Sequence, residues 1–509
     1  MSEELSRSFR FLKENAVPAP SFLSYEVIQV DSRSISASLG ALIRDKSGKT
    51  RWLDVAARVG SPALEADGQT PGAALTYEDT PAAIRHALWL ETDRAYRAAA
   101  KRSTRVESGG AARVEDAAVS RYPAVRREIP PAPPEFDASS WMNTAIEVSA
   151  RFREHPRILA SRVDVTVDNV TRYLTNTEGT RLIHGRGFVG VRISAESRAS
   201  DGEALRLAET FEAADSDGLR NKDELIAAAD RIAADLTRLL DAPAAEPFTG
   251  PAIFSARAAG AFFHELLGRR LEAGRSKTAA GPPPFAVDGK VLPDFLSVAF
   301  DPTRRQAAGV ELNGWYEYDD EGVKARRVVA VEHGVVRTLL RARSPLDGPD
   351  GSNGHGRKEP GMPVAARQSN LIVDAAGAVP EAKLRDMLIA ETRRQHKPYG
   401  LFFRGVAGDR GALDAGIVYR VYPDGRPDEL IRGVELAAPP AASLLGILAA
   451  GDRREALNLH SEGDSGSVPV SVVAPSILVS EIAVTRRPHT GAPPLLPPPP
   501  LSSLPGGRR

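Results

Sequence analysis

There is no cysteine among the 509 residues of this chain. That excludes disulfides, a thiolate nucleophile and any Cys-ligated metal. It does not by itself fix a compartment. Net charge is missing too, because 66 Lys and Arg balance 66 Asp and Glu. Without a basic excess there is no general drive toward phosphate, and direct nucleic-acid binding is not expected. Basic pairs such as Lys101-Arg102 and Arg126-Arg127 have acidic neighbours and read as solvated faces. Long apolar runs are also lacking. The strongest, Ala437 to Ala450, is short and carries Pro439-Pro440, so no membrane span is expected. Met1 to Arg7 has no apolar core of a signal peptide. The expectation is a soluble cytoplasmic protein.

Hydrophobic residues make up 42% and charged residues 26%, which is enough apolar material for ordinary cores. The length calls for two or three domains. The pattern predicts an α+β fold in two parts. Residues 1–245 form an N-terminal α+β domain with a stiff Pro-rich linker near 129–135. Residues 246–487 form a β-rich C-terminal domain. Residues 488–509 hold eight prolines and read as a disordered or polyproline tail.

Within the first part, alternation predicts paired strands at 24–30 and 34–39. Thr80-Pro81 opens a helix through Tyr96, with Thr as cap and Pro in the first turn. Segments 163–167 and 172–176 read as strands flanking a turn, and 181–183 and 188–193 continue the sheet. Helices are expected around 203–214 and 221–240. The second shows Leu225, Ala228, Ile232 and Leu236 on one stripe. In the second part, Ala252-Ile253-Phe254 feeds a helix placed at 256–273. Strands 327–331 and 335–339 are joined through His333-Gly334, and a long Gly/Asp-rich loop spans 346–362. A helix at 381–396 follows.

The informative stretch is His264-Glu265-Leu266-Leu267-Gly268-Arg269. A His followed by Glu on a helix is how many metallopeptidases set a zinc ligand beside a general base. The usual second His, one turn on, is Gly268 here, and the next residue is Arg269. A guanidinium stays protonated and offers no lone pair. Gly268 would permit a widened turn that swings position 269 back toward His264. A single His on a helix is otherwise an ordinary exposed or capped residue. None of the other eight histidines stands at helical ligand spacing from another. His355, in Ser352-Asn353-Gly354-His355-Gly356-Arg357, and His460, beside Ser461, could approach His264 only through the fold.

Several blocks in order resemble the TldD/PmbA (TldE) metallopeptidase family. They are Gly250-Pro251-Ala252-Ile253-Phe254 with Phe262 to Glu272, and Val291 to Val298 with Asp301-Pro302-Thr303. Gly322, Arg326-Arg327 and Gly334-Val335 follow. Ser352 to Arg357 leads through Ala366-Arg367-Gln368-Ser369-Asn370-Leu371, and Ser467 to Ser471 leads to Ala474-Pro475. The likeness runs over about residues 20–487. It implies a helix carrying His-Glu-x-x-x-His and a C-terminal Cys as the third zinc ligand. His264 and Glu265 match. Arg269 stands at the second His position, and Ser461 at the position of the Cys.

The resemblance implies an assembly of two subunits, one with zinc and one without, that handles extended peptide in proteolysis. The expectation is the metal-free or degenerate peptide-binding subunit, without a cofactor. Its partner would be a paralogous TldD-like subunit or a second copy. An alternative is an active zinc peptidase with a rebuilt ligand set of His264, His460 and Glu272, and Glu265 as general base. Another is a non-enzymatic interaction protein using the proline tail. Asn353, His355 and Arg357 are candidates for a substrate loop. An older family name, gyrase modulator, suggests DNA, but the balanced charge gives no support for direct contact.

Overall fold

The computed structural model describes residues 1–61, 64–67, 72–75, 80–107, 124–273, 283–343, 351–406, 415–436 and 441–488. Two large sheets dominate. The first has eight strands. Pro20–Ser38 turns at Leu39-Gly40, both with positive φ, and pairs antiparallel with Ala41–Ser61. A two-residue turn of that hand matches the natural twist of a hairpin. On its other edge Pro20–Ser38 pairs with Ala160–Asn176, which pairs with Arg181–Arg198, which pairs in turn with Ala204–Ala213.

Val163, Val165, Val191 and Ile193 alternate onto the buried face of this sheet. Two helices, Ala138–Ala150 and Lys222–Asp241, close over them. Asn221 and Glu224 form a reciprocal cap at the start of Lys222–Asp241. Its Leu225, Ala228, Ile232 and Leu236 stripe is buried as the spacing predicts. A smaller core lies under Ser2–Asn15 and Pro81–Glu107.

Three expectations are corrected here. Residues 163–176 form one strand without a turn, and so do 181–193. The stretch expected as a helix at 203–214 is the strand Ala204–Ala213, with Leu205 and Leu207 inward and Arg206 outward. A period of two wins there because the whole segment pairs along Arg181–Arg198. The run at 168–171, read as a turn, stays extended because it pairs with residues 29–32 on one side and 185–188 on the other.

The second sheet has eleven strands around the long Val468–Arg486. That strand pairs with Ile447–Ser461 and Phe248–Phe254, and in parallel with Asn370–Ala375. Helix Ala256–Leu266 lies on Val468–Arg486 and Ile447–Ser461. Gly260 permits the approach, since a Cβ there would stand 3.2 Å from Leu457 Cβ. The hairpin through His333-Gly334 is present, with φ of 46° and 77°, although its second strand is only Val335–Val336. Helix Glu381–Arg394 agrees with expectation to within two residues. Segment 129–137 is irregular, as a proline-rich linker should be. Part of the 346–362 loop and the tail beyond Pro488 lie outside the described residues. Among the described residues no helix is long and apolar enough to cross a membrane, which says nothing of barrels built from strands.

A buried charge network joins the two halves. Arg172 donates to Glu26 at 2.8 Å and lies 3.3 Å from Asp320. Lys358 Nζ reaches Glu26 at 2.7 Å and also Asp54. Burial alone would raise the Glu26 carboxyl, but the Lys358 and Arg172 charges outweigh it and hold it at about 2. Removing one member strands the others in a dry interior. Lys358→Met is expected to destabilise the protein by about 3–5 kcal/mol. Urea unfolding measures this, and a loss below about 1 kcal/mol would contradict a buried, mutually dependent network.

Candidate functional site

The helix begins at Ala256 under a Ser255 cap, whose Oγ accepts from the Ala258 N–H at 3.4 Å. It ends at Leu266, and Gly268–Arg270 continue as a single 3₁₀ turn. The chain therefore tightens where a widened turn was expected. Residues beyond 270 leave the helix, and Glu272 bridges to Leu340 as a short extended contact. The 256–273 helix is thus corrected to Ala256–Leu266 plus that turn.

His264 is fully enclosed. As assigned, its Nδ1–H donates to Gln368 Oε1 at 3.2 Å. Gly268 makes this possible, because a Cβ there would lie 2.0 Å from Gln368 Oε1. Burial is the main force lowering the His264 pKa, to about 3. The Gln368 bond opposes it, while the Arg269 and Arg367 charges add to it. The ring is neutral, with two cations close enough to depress it. Arg269 does not turn back to His264. It folds along the helix edge and donates to both oxygens of Glu265, at 2.9 and 3.2 Å.

The decisive group is Arg367, which sequence reasoning had quoted only as part of a block. Its guanidinium is buried and fully engaged. Nε donates to Glu272 Oε1 at 3.4 Å. One terminal nitrogen donates to Ser465 Oγ at 2.7 Å and to the Gly466 carbonyl at 2.9 Å. The other donates to the Ser461 carbonyl and to Ser461 Oγ, the latter at 3.2 Å. The Gln368 N–H donates to Glu272 Oε1 at 3.1 Å. Glu272 and Ser461, two of the residues singled out from the sequence, meet on one arginine. The signal that could have found it is the neighbour relation itself, since Arg367 precedes the Gln368 that holds His264.

The rebuilt set of His264, His460 and Glu272 is not assembled. Along Ile447–Ser461 the residues Leu457, Leu459 and Ser461 point inward. His460 therefore points to the opposite face. There it lies 3.9 Å from Glu212 and edge-on to Phe188. Of the loop candidates, Asn353 is buried and bonds the Arg341 N–H and the Leu339 carbonyl, both at 2.8 Å. His355 is buried between the Asn353 carbonyl and Ser369 Oγ, each at 3.1 Å. Arg357 borders a cavity of about 400 Å³ between the two halves.

Residues 248–486 match the model of the PmbA/TldA metallopeptidase C-terminal domain. Over these residues the chain is similar to the TldD/PmbA family. A metalloprotease of Archaeoglobus fulgidus is 28% identical over 139 residues, 27% of this chain and 31% of that protein. A metalloprotease of Methanothermobacter thermautotrophicus is 28% identical over 235 residues, 44% of this chain and 48% of that protein. The match thus spans less than half of each of these relatives. The fold likeness is wider. TldE from Thermococcus kodakarensis superimposes with a TM-score of 0.64 at 13% identity, covering 95% of this chain and 99% of that one. A candidate modulator of DNA gyrase from Thermotoga maritima gives 0.62 at 14% identity, again over 95% and 99%.

The TldD/PmbA resemblance implies zinc, and the donor set does not fit it. One imidazole faces an arginine at the second ligand position and a serine at the third. That serine already accepts from a guanidinium. A cation held there repels a second one, and a catalytic zinc ordinarily needs three protein donors. Among the described residues no group of three or more His, Asp and Glu is placed to hold a metal.

Burial, opposed by its bond to the Asn353 carbonyl, also lowers the His355 pKa to about 3. An unfolded chain would take up that proton near pH 6.5. Stability from this group is therefore present above about pH 6.5 and lost as pH falls toward 3. Histidine-selective ¹⁵N spectra should show His355 neutral, with Nδ1 protonated, from pH 7 down to about 4.5. A titration near pH 6.5 would contradict its enclosure.

Proposed function

We propose that this chain is the metal-free, peptide-binding subunit of a two-subunit TldD/PmbA-type protease. One observation carries the reading. A buried arginine, Arg367, holds Ser461 and Glu272, while Arg269 occupies Glu265. A general base must reach a water that a metal or a second group polarises. Here the carboxylate that would do so is neutralised by its neighbour one turn on.

The peptide would be held in extended form, through main-chain hydrogen bonds that tolerate many side chains. The partner would be a paralogous TldD-like chain, or a second copy, bearing the complete ligand set and the hydrolytic chemistry. Metalloproteases among the relatives and the TldE fold support this assignment.

The test is hydrolysis of a set of hexapeptides by the pure chain, with and without added zinc. Any residual rate should be unchanged within about twofold by zinc or by Glu265→Gln. Zinc-dependent cleavage that Glu265→Gln lowers by about 100-fold or more would overturn the reading.

A further inference from the structure

The cavity of about 400 Å³ lies between strand Arg181–Arg198 of the first sheet and segments 315–320, 357–360 and 467–469 of the second half. Its volume falls within the roughly 300–1,000 Å³ of small-ligand sites. Two arginines border it, and their surroundings are unusual. Arg186 gives one terminal nitrogen to the Asn313 carbonyl at 2.6 Å. Arg357 gives one terminal nitrogen to the carbonyls of Gln368 and Pro469, both at 2.8 Å, and lies 4.9 Å over the Tyr316 ring. Each guanidinium has five N–H donors. Among the described residues, neither has a carboxylate within ion-pair reach.

Of the acidic side chains bordering the cavity, three are committed elsewhere, and Glu359 accepts the Ser467 N–H at 2.9 Å. Asp320 pairs with Arg172, and Glu317 with Arg127 and Arg305. Asp319 accepts the Val323, Glu321 and Gly356 N–H groups. Burial and the nearby Glu321 charge push Asp319 well above the usual carboxylate range. Arg186 is lowered to about 10, first by burial and then by the Arg357 charge. Two like charges thus share a secluded wall, an arrangement that costs free energy until an anion joins it.

The rest of the wall defines what carries the anion. Trp315, Ile129 and Val468 are apolar neighbours. His184 contributes a buried Nε2 without a hydrogen-bond partner. Strand Arg181–Arg198 is paired by Arg126–Glu128 only as far as Ile183, and by Ala204–Ala213 only from Val189. Among the described residues, His184, Gly185 and Arg186 therefore border the cavity with no strand on that edge, and an extended chain could pair there. A free inorganic anion would use the charge but neither the apolar wall nor the strand edge.

We propose that this cavity binds the C-terminal carboxylate of a short peptide, with Arg186 and Arg357 as the anion clamp and the Trp315 wall taking an apolar last side chain. This deepens the peptide-binding reading and rests on it. Fork-shaped guanidinium groups suit a planar carboxylate, and each such contact adds direction as well as charge.

Calorimetric titration of the full chain with a hexapeptide ending in Leu tests it, beside the same peptide as a C-terminal amide and beside inorganic phosphate. The free acid should bind about tenfold or more tighter than the amide. Arg186→Gln should bring that ratio close to one. The substitution removes a buried cation without an ionic partner, so the thermal midpoint should hold or rise. If Arg186→Gln fails to fold, Arg186→Lys keeps the charge but loses the fork, and should show a reduced ratio. Equal binding of acid and amide would overturn the carboxylate clamp and leave peptide binding standing. Binding of phosphate alone, dependent on Arg186, would overturn the peptide as source. Binding of neither peptide nor phosphate would overturn both readings.

Discussion

The arrangement around Arg367 depends on one requirement, that a buried guanidinium find an acceptor for its donors. Moving such a charge out of water costs several kcal/mol, recovered only when its hydrogen bonds are met with good geometry. Arg367 meets them with Glu272, Ser461, Ser465 and Gly466, drawn from the extended segment after the helix, from the end of Ile447–Ser461 and from the turn before Val468–Arg486. Gly463 leaves room for it, since a Cβ there would approach Arg367 Cζ to 2.9 Å. By fixing the next residue, Gln368, the same arginine sets the side chain that receives the His264 proton. In the proposed reading, this structural charge closes off the chemistry expected of the helix.

Charge also organises the seam between the two halves, in two contrasting ways. Around Glu26, cations and carboxylates pair, and the network serves as a joint. Around Arg186 and Arg357, among the described residues, no carboxylate comes within ion-pair distance, and this wall is the proposed anion site. Both lie on the long strands of the first sheet and the loops of the second half. Gln368 connects this seam to the helix, because its backbone carbonyl accepts from Arg357 and its side chain from His264. The proposed peptide cavity and the His264-Glu265 pair are therefore neighbours in one structure.

The local features were legible in the sequence. Helix Lys222–Asp241 follows from its stripe and cap, and the His333-Gly334 turn from residue type. The family likeness was legible in the blocks around His264 and Arg367. What was not legible depends on long-range partners. Gln368 lies 104 residues from the histidine it bonds. Arg172 reads as an ordinary strand residue until Glu26 and Asp320 are placed beside it. The direction of His460 was within reach, because once Ser461 is inward on a strand its neighbour must face out. The end of the helix at Leu266 was not, since it reflects the demand of Gln368 for the space over Gly268.

The central proposal is that this chain holds no zinc, because Arg269 and Ser461 stand at the positions where the TldD/PmbA resemblance would put ligands. Mass-spectrometric metal content of chain purified without chelator or affinity tag, beside His264→Ala, tests it most directly. The account predicts well under about 0.1 zinc per chain in both. About one zinc per chain, lost in His264→Ala, would contradict it and make this chain the hydrolytic subunit.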